Sequence, residues 1–134
     1  MVITRYDKTR RAIVLDVCNQ AANEAFSWGG LDCCLLASRV VHEITGVDYG
    51  ARFNYQTKTG ALRIIAQCKN LSGLFTGLLG KPVEGGFDYG DPVLCEIDGQ
   101  QFIAIWFGNS VLTKFETGLL TGVDIKTIIQ GWRI

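Results

Sequence analysis

Apolar and polar positions change their period about two-thirds of the way along this chain. As far as residue 80 apolar side chains recur every three or four positions, and from residue 92 they alternate. Ile13, Val14, Val17, Cys18 and Ala21 share one face of a helix predicted from about Lys8 to Asn23, with Arg10, Arg11, Asp16, Asn19 and Gln20 largely elsewhere. Trp28-Gly29-Gly30 reads as a loop and Asp32 as an N-cap. Cys33, Leu36, Ala37, Val40, Val41 and Ile44 then trace the core stripe of a second helix, which ends near Thr45-Gly46. Val47 to Thr59 reads as a polar loop whose Tyr49, Phe53 and Tyr55 either flank a groove or pin the loop to the core. A third helix from about Lys58 to Lys69 should turn Leu62, Ile65, Ala66 and Cys68 inward, and a short fourth spans Ser72 to Leu79 with Gly80 past its end.

The alternating part begins after a Gly-rich connector, Pro82 to Asp91. Val93, Cys95 and Ile97 alternate with Leu94 and Glu96, Asp98-Gly99 makes a turn, and Gln101 to Phe107 returns as the second arm of a hairpin. Further strands are expected over Ser110 to Phe115 and Leu119 to Val123. Asp124 should cap a short helix through Ile129 before the terminal Gly131-Trp-Arg-Ile134. Helices first and an antiparallel sheet afterwards predict an α+β fold, N-terminal helices packed on a small C-terminal sheet.

Composition narrows this picture. At 134 residues, 48% of them hydrophobic, the chain suits one domain over residues 1–134 with a substantial core. Formal charge is zero and the basic residues are dispersed apart from Arg10-Arg11, which argues against nucleic acid as the main partner and favours a protein surface. The polar N-terminus, Met1 to Arg11, and Asp16 in the apolar run after it predict neither a signal peptide nor a membrane-inserted helix, so synthesis in the cytoplasm is expected. Five cysteines, with Cys33 and Cys34 adjacent, give no disulfide framework, and no Cys-x-x-Cys pair or His cluster marks a metal or other cofactor. Cys18 and Cys68 read as core residues.

Cys33 is the candidate for chemistry. In the first turn of a helix its sulfur meets unpaired backbone N–H groups and the positive end of the helix dipole, which favour the thiolate. The same amides suit an oxyanion, so the position supplies half of what acyl transfer needs. The other half is a base. The chain has one histidine, His42, nine residues further along the same helix, about 13 Å away and roughly half a turn round. It cannot serve Cys33.

The order of parts, with Phe26-x-Trp28-Gly29-Gly30-x-Asp32-Cys33, resembles the NlpC/P60 family of papain-like cysteine peptidases, whose usual motif is Tyr-x-Trp-Gly-Gly, a short spacer and Asp-Cys-Ser-Gly. It is more closely similar to small phage-encoded proteins related to that family. They share Trp-Gly-x-x-Asp-Cys-Cys, a Thr-Gly-x-Asp step (Thr45 to Asp48), Tyr-x-Thr with Gly-Ala (Tyr55 to Thr57, Gly60-Ala61), a Gly-Asp-x-Val strand entry (Gly90 to Val93) and a terminal Trp-Arg-Ile. The likeness spans roughly residues 8 to 134. It implies a papain-like topology and a component of the tail tip of a long-tailed bacteriophage or prophage, located in the virion tail. The implied partners are other tail-tip or hub proteins and peptidoglycan, since the family includes enzymes that cleave peptidoglycan stem peptides.

Cys33 takes the family's nucleophile position. In the family's His-Val-Gly-Ile-like strand, however, the matching segment is Phe102-Ile103-Ala104-Ile105, with Phe102 where the histidine would stand. Phe26 replaces the motif tyrosine and Cys34-Leu35 replaces Ser-Gly. A phenyl ring neither accepts a proton nor orients a thiolate, so the implied dyad is broken. Trp28, Asp32, Tyr55 and Gln101 are the candidate groove residues, and Thr113 is a candidate orienting group. An amide such as that of Gln101 is no general base at neutral pH. Two readings follow: a structural or assembly component with a degenerate site, which the missing histidine favours, and an active peptidoglycan-directed cysteine endopeptidase or amidase using Cys33.

Overall fold

In a computed structural model, residues 9–134 are described, and the polar stretch Met1 to Lys8 lies outside them. Four α-helices, α1 (Arg10–Ala22), α2 (Cys33–Thr45), α3 (Lys58–Gln67) and α4 (Leu71–Leu79), precede five strands, β1 (Pro92–Ile97), β2 (Gln100–Trp106), β3 (Ser110–Lys114), β4 (Leu120–Asp124) and β5 (Ile128–Gly131). The fold is α+β, helices first and sheet second. All strand pairings are antiparallel, in the order β4-β3-β2-β1-β5.

Each helix starts where a side chain can satisfy its free amides. Thr9, Asp32, Thr57 and Asn70 each accept from a backbone N–H three residues on, and Gly46, in the left-handed region at φ 85°, closes α2. α1 buries the five residues its pattern picked out. α2 packs against α1, β2 and β3 and beside the 3-10 turn Tyr49–Arg52, a turn that falls in the expected polar loop. It is therefore enclosed on most sides: Cys34, Leu35 and Ser38 are buried as well as Leu36, Ala37, Val40 and Val41. Cys33 does not open the buried stripe; it is only partly buried.

Two further expectations are corrected. On α3 the inward positions are Ala61, Ile64, Ile65 and Cys68, whereas Leu62 is 55% exposed and Ala66 is exposed, because the helix has one flank open. At the C-terminal end only Ile125–Thr127 is helical, a 3-10 turn capped by Asp124. Ile128–Gly131 is instead an edge strand paired with β1, since the main-chain groups of Val93 to Cys95 on that side need partners.

Both faces of the sheet are covered. Leu94, Ile103 and Ile105 point into the main core with α1, α2, α4 and Trp132. Val93, Cys95, Phe102, Ala104 and Val111 form a second cluster on the opposite face. That is why β1 opens with four buried residues in succession instead of an alternation of buried and exposed. The β1–β2 turn is Asp98-Gly99, both at positive φ, as a two-residue hairpin requires. β2 and β3 are joined at only two residue pairs, Ile105 with Leu112 and Trp106 with Val111, and they part beyond them. The candidate site lies at that parting.

Candidate functional site around Cys33

The loop before α2 is shaped by its glycines. Ser27 and Leu31 exchange backbone hydrogen bonds of 3.1 and 2.9 Å, closing a tight loop. Gly29 has φ +82°, and a Cβ there would lie 1.8 Å from the Tyr55 carbonyl oxygen. Only glycine lets the two loops touch. Asp32 then joins them: Oδ1 accepts from the Leu35 amide at 2.9 Å, and Oδ2 accepts from the Gly29 amide at 3.2 Å and from the Tyr55 phenol. The carboxylate is 2% exposed and fully used. Burial, then the hydrogen bond to Asp32, raise the Tyr55 pKa, so the phenol stays protonated and donating.

Cys33 sits where the two hydrophobic clusters meet and packs against both. The Cys34 thiol donates a hydrogen bond to its sulfur, and the backbone amides of Ile103 and Cys34 donate as well. The Ile103 amide is free because β2 and β3 have separated there; the carbonyl of the same residue accepts from Thr113 Oγ1 at 2.8 Å. Thr113 thus holds the parted strands together across the Ile103 carbonyl. The donors to Cys33, Cys34 first, outweigh burial and the nearby Asp32 carboxylate, so its pKa is lowered. Cys34, giving its proton toward Cys33 and fully buried, is pushed well up. The start of α2 favours the same direction, but the leading donor is the neighbouring thiol.

A groove of about 520 Å³ opens beside Cys33. Trp28, Asp32, Tyr55 and Gln101 all line it, as does Phe102. Trp28 meets Phe26 edge to face at 5.0 Å, and Phe102 meets Phe115 likewise at 5.1 Å. A second depression of about 390 Å³, toward the β1–β2 turn, shares Gln100, Phe102 and Phe115 with the first. Of the three loop aromatics, Phe53 is buried against Phe75, Tyr55 lines the groove, and Tyr49 lies under the Arg52 guanidinium at 5.7 Å. Gln101 is exposed, its amide 3.4 Å from Glu96.

Lys114 was not singled out from the sequence, and it also borders the groove. It is 1% exposed, and its ammonium donates to the carbonyl of Ala21 at 2.6 Å and to that of Glu24, at the C-terminal end of α1. Cationic charge there offsets the negative end of the helix dipole. The signal was available: on β3 Lys114 shares the inward parity of Leu112. Its Nζ is already committed to those two carbonyls. Among the described residues no three His, Cys, Asp or Glu side chains are placed to hold a metal ion. No helix among them is long and apolar enough to cross a membrane.

The arrangement favours a thiolate but offers no imidazole to take or return a proton. No curated protein matches the chain. A family model described as "Domain of unknown function (DUF6950)" matches residues 4–134, nearly the whole length, and the chain belongs to that family.

Proposed function

We propose that this protein is a structural or assembly component of a bacteriophage or prophage tail tip, built on an NlpC/P60-like fold whose catalytic dyad has lapsed. The observation that carries the reading is what lines the groove together with Cys33. Phe102 lines the same groove as the thiol, and its ring is packed against Phe115. Hydrolysis of a peptide bond requires a proton for the departing amine, and among the described residues that line the groove there is no imidazole to supply it. The resemblance set out above supports the tail assignment, and the groove offers a surface that a neighbouring tail protein can occupy.

Co-purification with tail-tip subunits of the same phage or prophage tests this directly. Stable association, and defective tails on deletion, are the expected results; no association together with intact infectious tails ends the proposal. The chain should release nothing from purified murein peptides. Phe102→His supplies the missing group: alkylation of Cys33 should then acquire a dependence on a titration near pH 6.5. An unchanged profile would place position 102 away from the sulfur and remove the alignment on which the pseudoenzyme reading stands.

A further inference from the structure

The chain carries five free cysteines in three kinds of surroundings. Cys18 and Cys95 are buried in the two hydrophobic clusters. Cys68 is partly buried just past the end of α3. Cys33 is likewise partly buried but opens onto the groove, which Cys34 also lines, and the Cys34 thiol is its hydrogen-bond partner. We propose that Cys33 and Cys34 form a thiol–disulfide exchange site, in which Cys33 accepts a thiol group from a small disulfide while Cys34 remains reduced behind it.

The missing imidazole is no obstacle to this reaction. The Cys33 sulfur, as thiolate, attacks one sulfur of the incoming disulfide; that S–S bond breaks as the new one forms, and the second sulfur departs as a thiolate. Cys33 is oxidised to the mixed disulfide and one half of the reagent is reduced. The proton Cys33 gave up is recovered from solvent by the departing thiolate. No amine leaves, so no general acid is needed. The Ile103 amide and the Cys34 thiol favour the anionic form of the attacking sulfur, and the groove gives the reagent its approach.

Geometry also sets where the reaction stops. Consecutive Cα atoms lie about 3.8 Å apart across a trans peptide, short of the roughly 4.4–6.8 Å that disulfides span. Closing Cys33 onto Cys34 would break the first turn of α2, whose Asp32 cap and buried Leu35 and Leu36 hold it. Cys34 therefore supports the reaction without resolving it, and the adduct stays in the groove mouth beside Phe102. A small disulfide then controls whether the groove can be occupied, independently of any role in a tail.

The test is to incubate the full chain with oxidised glutathione near pH 7 and follow each cysteine by peptide mapping. One adduct, on Cys33, forming about tenfold faster than any on Cys68, is expected. Equal rates at Cys33 and Cys68 would overturn the proposal. So would a Cys33–Cys34 disulfide, or a folded chain that stays unmodified while the urea-unfolded chain reacts throughout. Cys34→Ala should move the pH profile of exchange at Cys33 upward; an unmoved profile removes Cys34 from the site and overturns the pairing. Since the wild-type chain carries its own comparator in Cys68, the main outcome does not depend on any variant folding.

Discussion

Asp32 bears more of the groove wall than its place at the head of a helix suggests, because its two oxygens serve the α2 amide of Leu35, the glycine loop and the Tyr55 phenol at once. Asp32→Ala should cost about 3 kcal/mol in urea unfolding, combining a lost N-cap with a stranded phenol. Tyr55→Phe should cost about 1 kcal/mol, and the double variant should fall short of the sum because the two share one bond. A loss under about 0.5 kcal/mol for Asp32→Ala would mean the carboxylate is an ordinary surface group. Trp132 is legible in the same way: fully buried, 5.5 Å from Phe75 and bonded through Nε1 to Thr76, it is a core side chain.

Between elements, one tie is polar. Asp91, 1% exposed at the entry to β1, accepts from Arg10 of α1 at 2.7 Å, from the Ile134 amide at 3.1 Å and from the Asp88 amide at 2.8 Å. Arg10 reaches on to the carbonyls of Tyr89 and Ile134. One ion pair therefore fastens the first helix, the strand entry and the C-terminal segment. Removing the Asp91 carboxylate takes away three hydrogen bonds at once, and Asp91→Ala should cost about 3 kcal/mol by chemical denaturation. Gly29→Ala acts on a smaller unit: its Cβ meets the Tyr55 carbonyl, so hydrogen exchange should quicken over residues 27–31 and 55–57 while the sheet keeps its protection. Uniform acceleration across the chain would refute that division.

For the molecule as a whole, buried acids set the pH range of stability. Burial pushes Cys18 from 9.0 up to about 11 and raises Cys95 and Tyr55 as well; the hydrogen bond to Cys33, then burial, raises Cys34. The folded state keeps protons that the unfolded chain releases near pH 9, so this stability is complete below that value and is lost as pH rises toward 11. Cys18 alone accounts for about 2 kcal/mol of the loss. Cys33 runs the other way: its lowered pKa adds stability as pH climbs through its titration, below that window. Thermal unfolding between pH 8 and 11 should show a falling Tm, and Cys18→Ala should flatten the fall even if it lowers the plateau. A Tm constant to pH 11 would show that these groups titrate freely in the folded chain.

The fold class was legible because it rests on local chemistry. Asp32, Gly46 and Asp98-Gly99 mark ends and turns through their own backbone preferences, and the change from helical to alternating period is read within a few residues. Cys33 and the four groove candidates Trp28, Asp32, Tyr55 and Gln101 could likewise be chosen from the chain, and the tertiary structure brings them to one groove, which Phe102 also lines. What sequence could not carry was anything set by partners distant along the chain. Leu62 fits an inward stripe but lies on the open flank of α3, and Ile128 became a strand because β1 had an unpaired edge. The Lys114 ammonium ends on carbonyls some ninety residues away. The surroundings of Cys33 depend on where β2 and β3 part, which frees the Ile103 amide. Period and caps are properties of neighbours in the chain, so the sequence determined the elements; which face is covered, and which amide is left to meet a sulfur, was decided only when the elements packed.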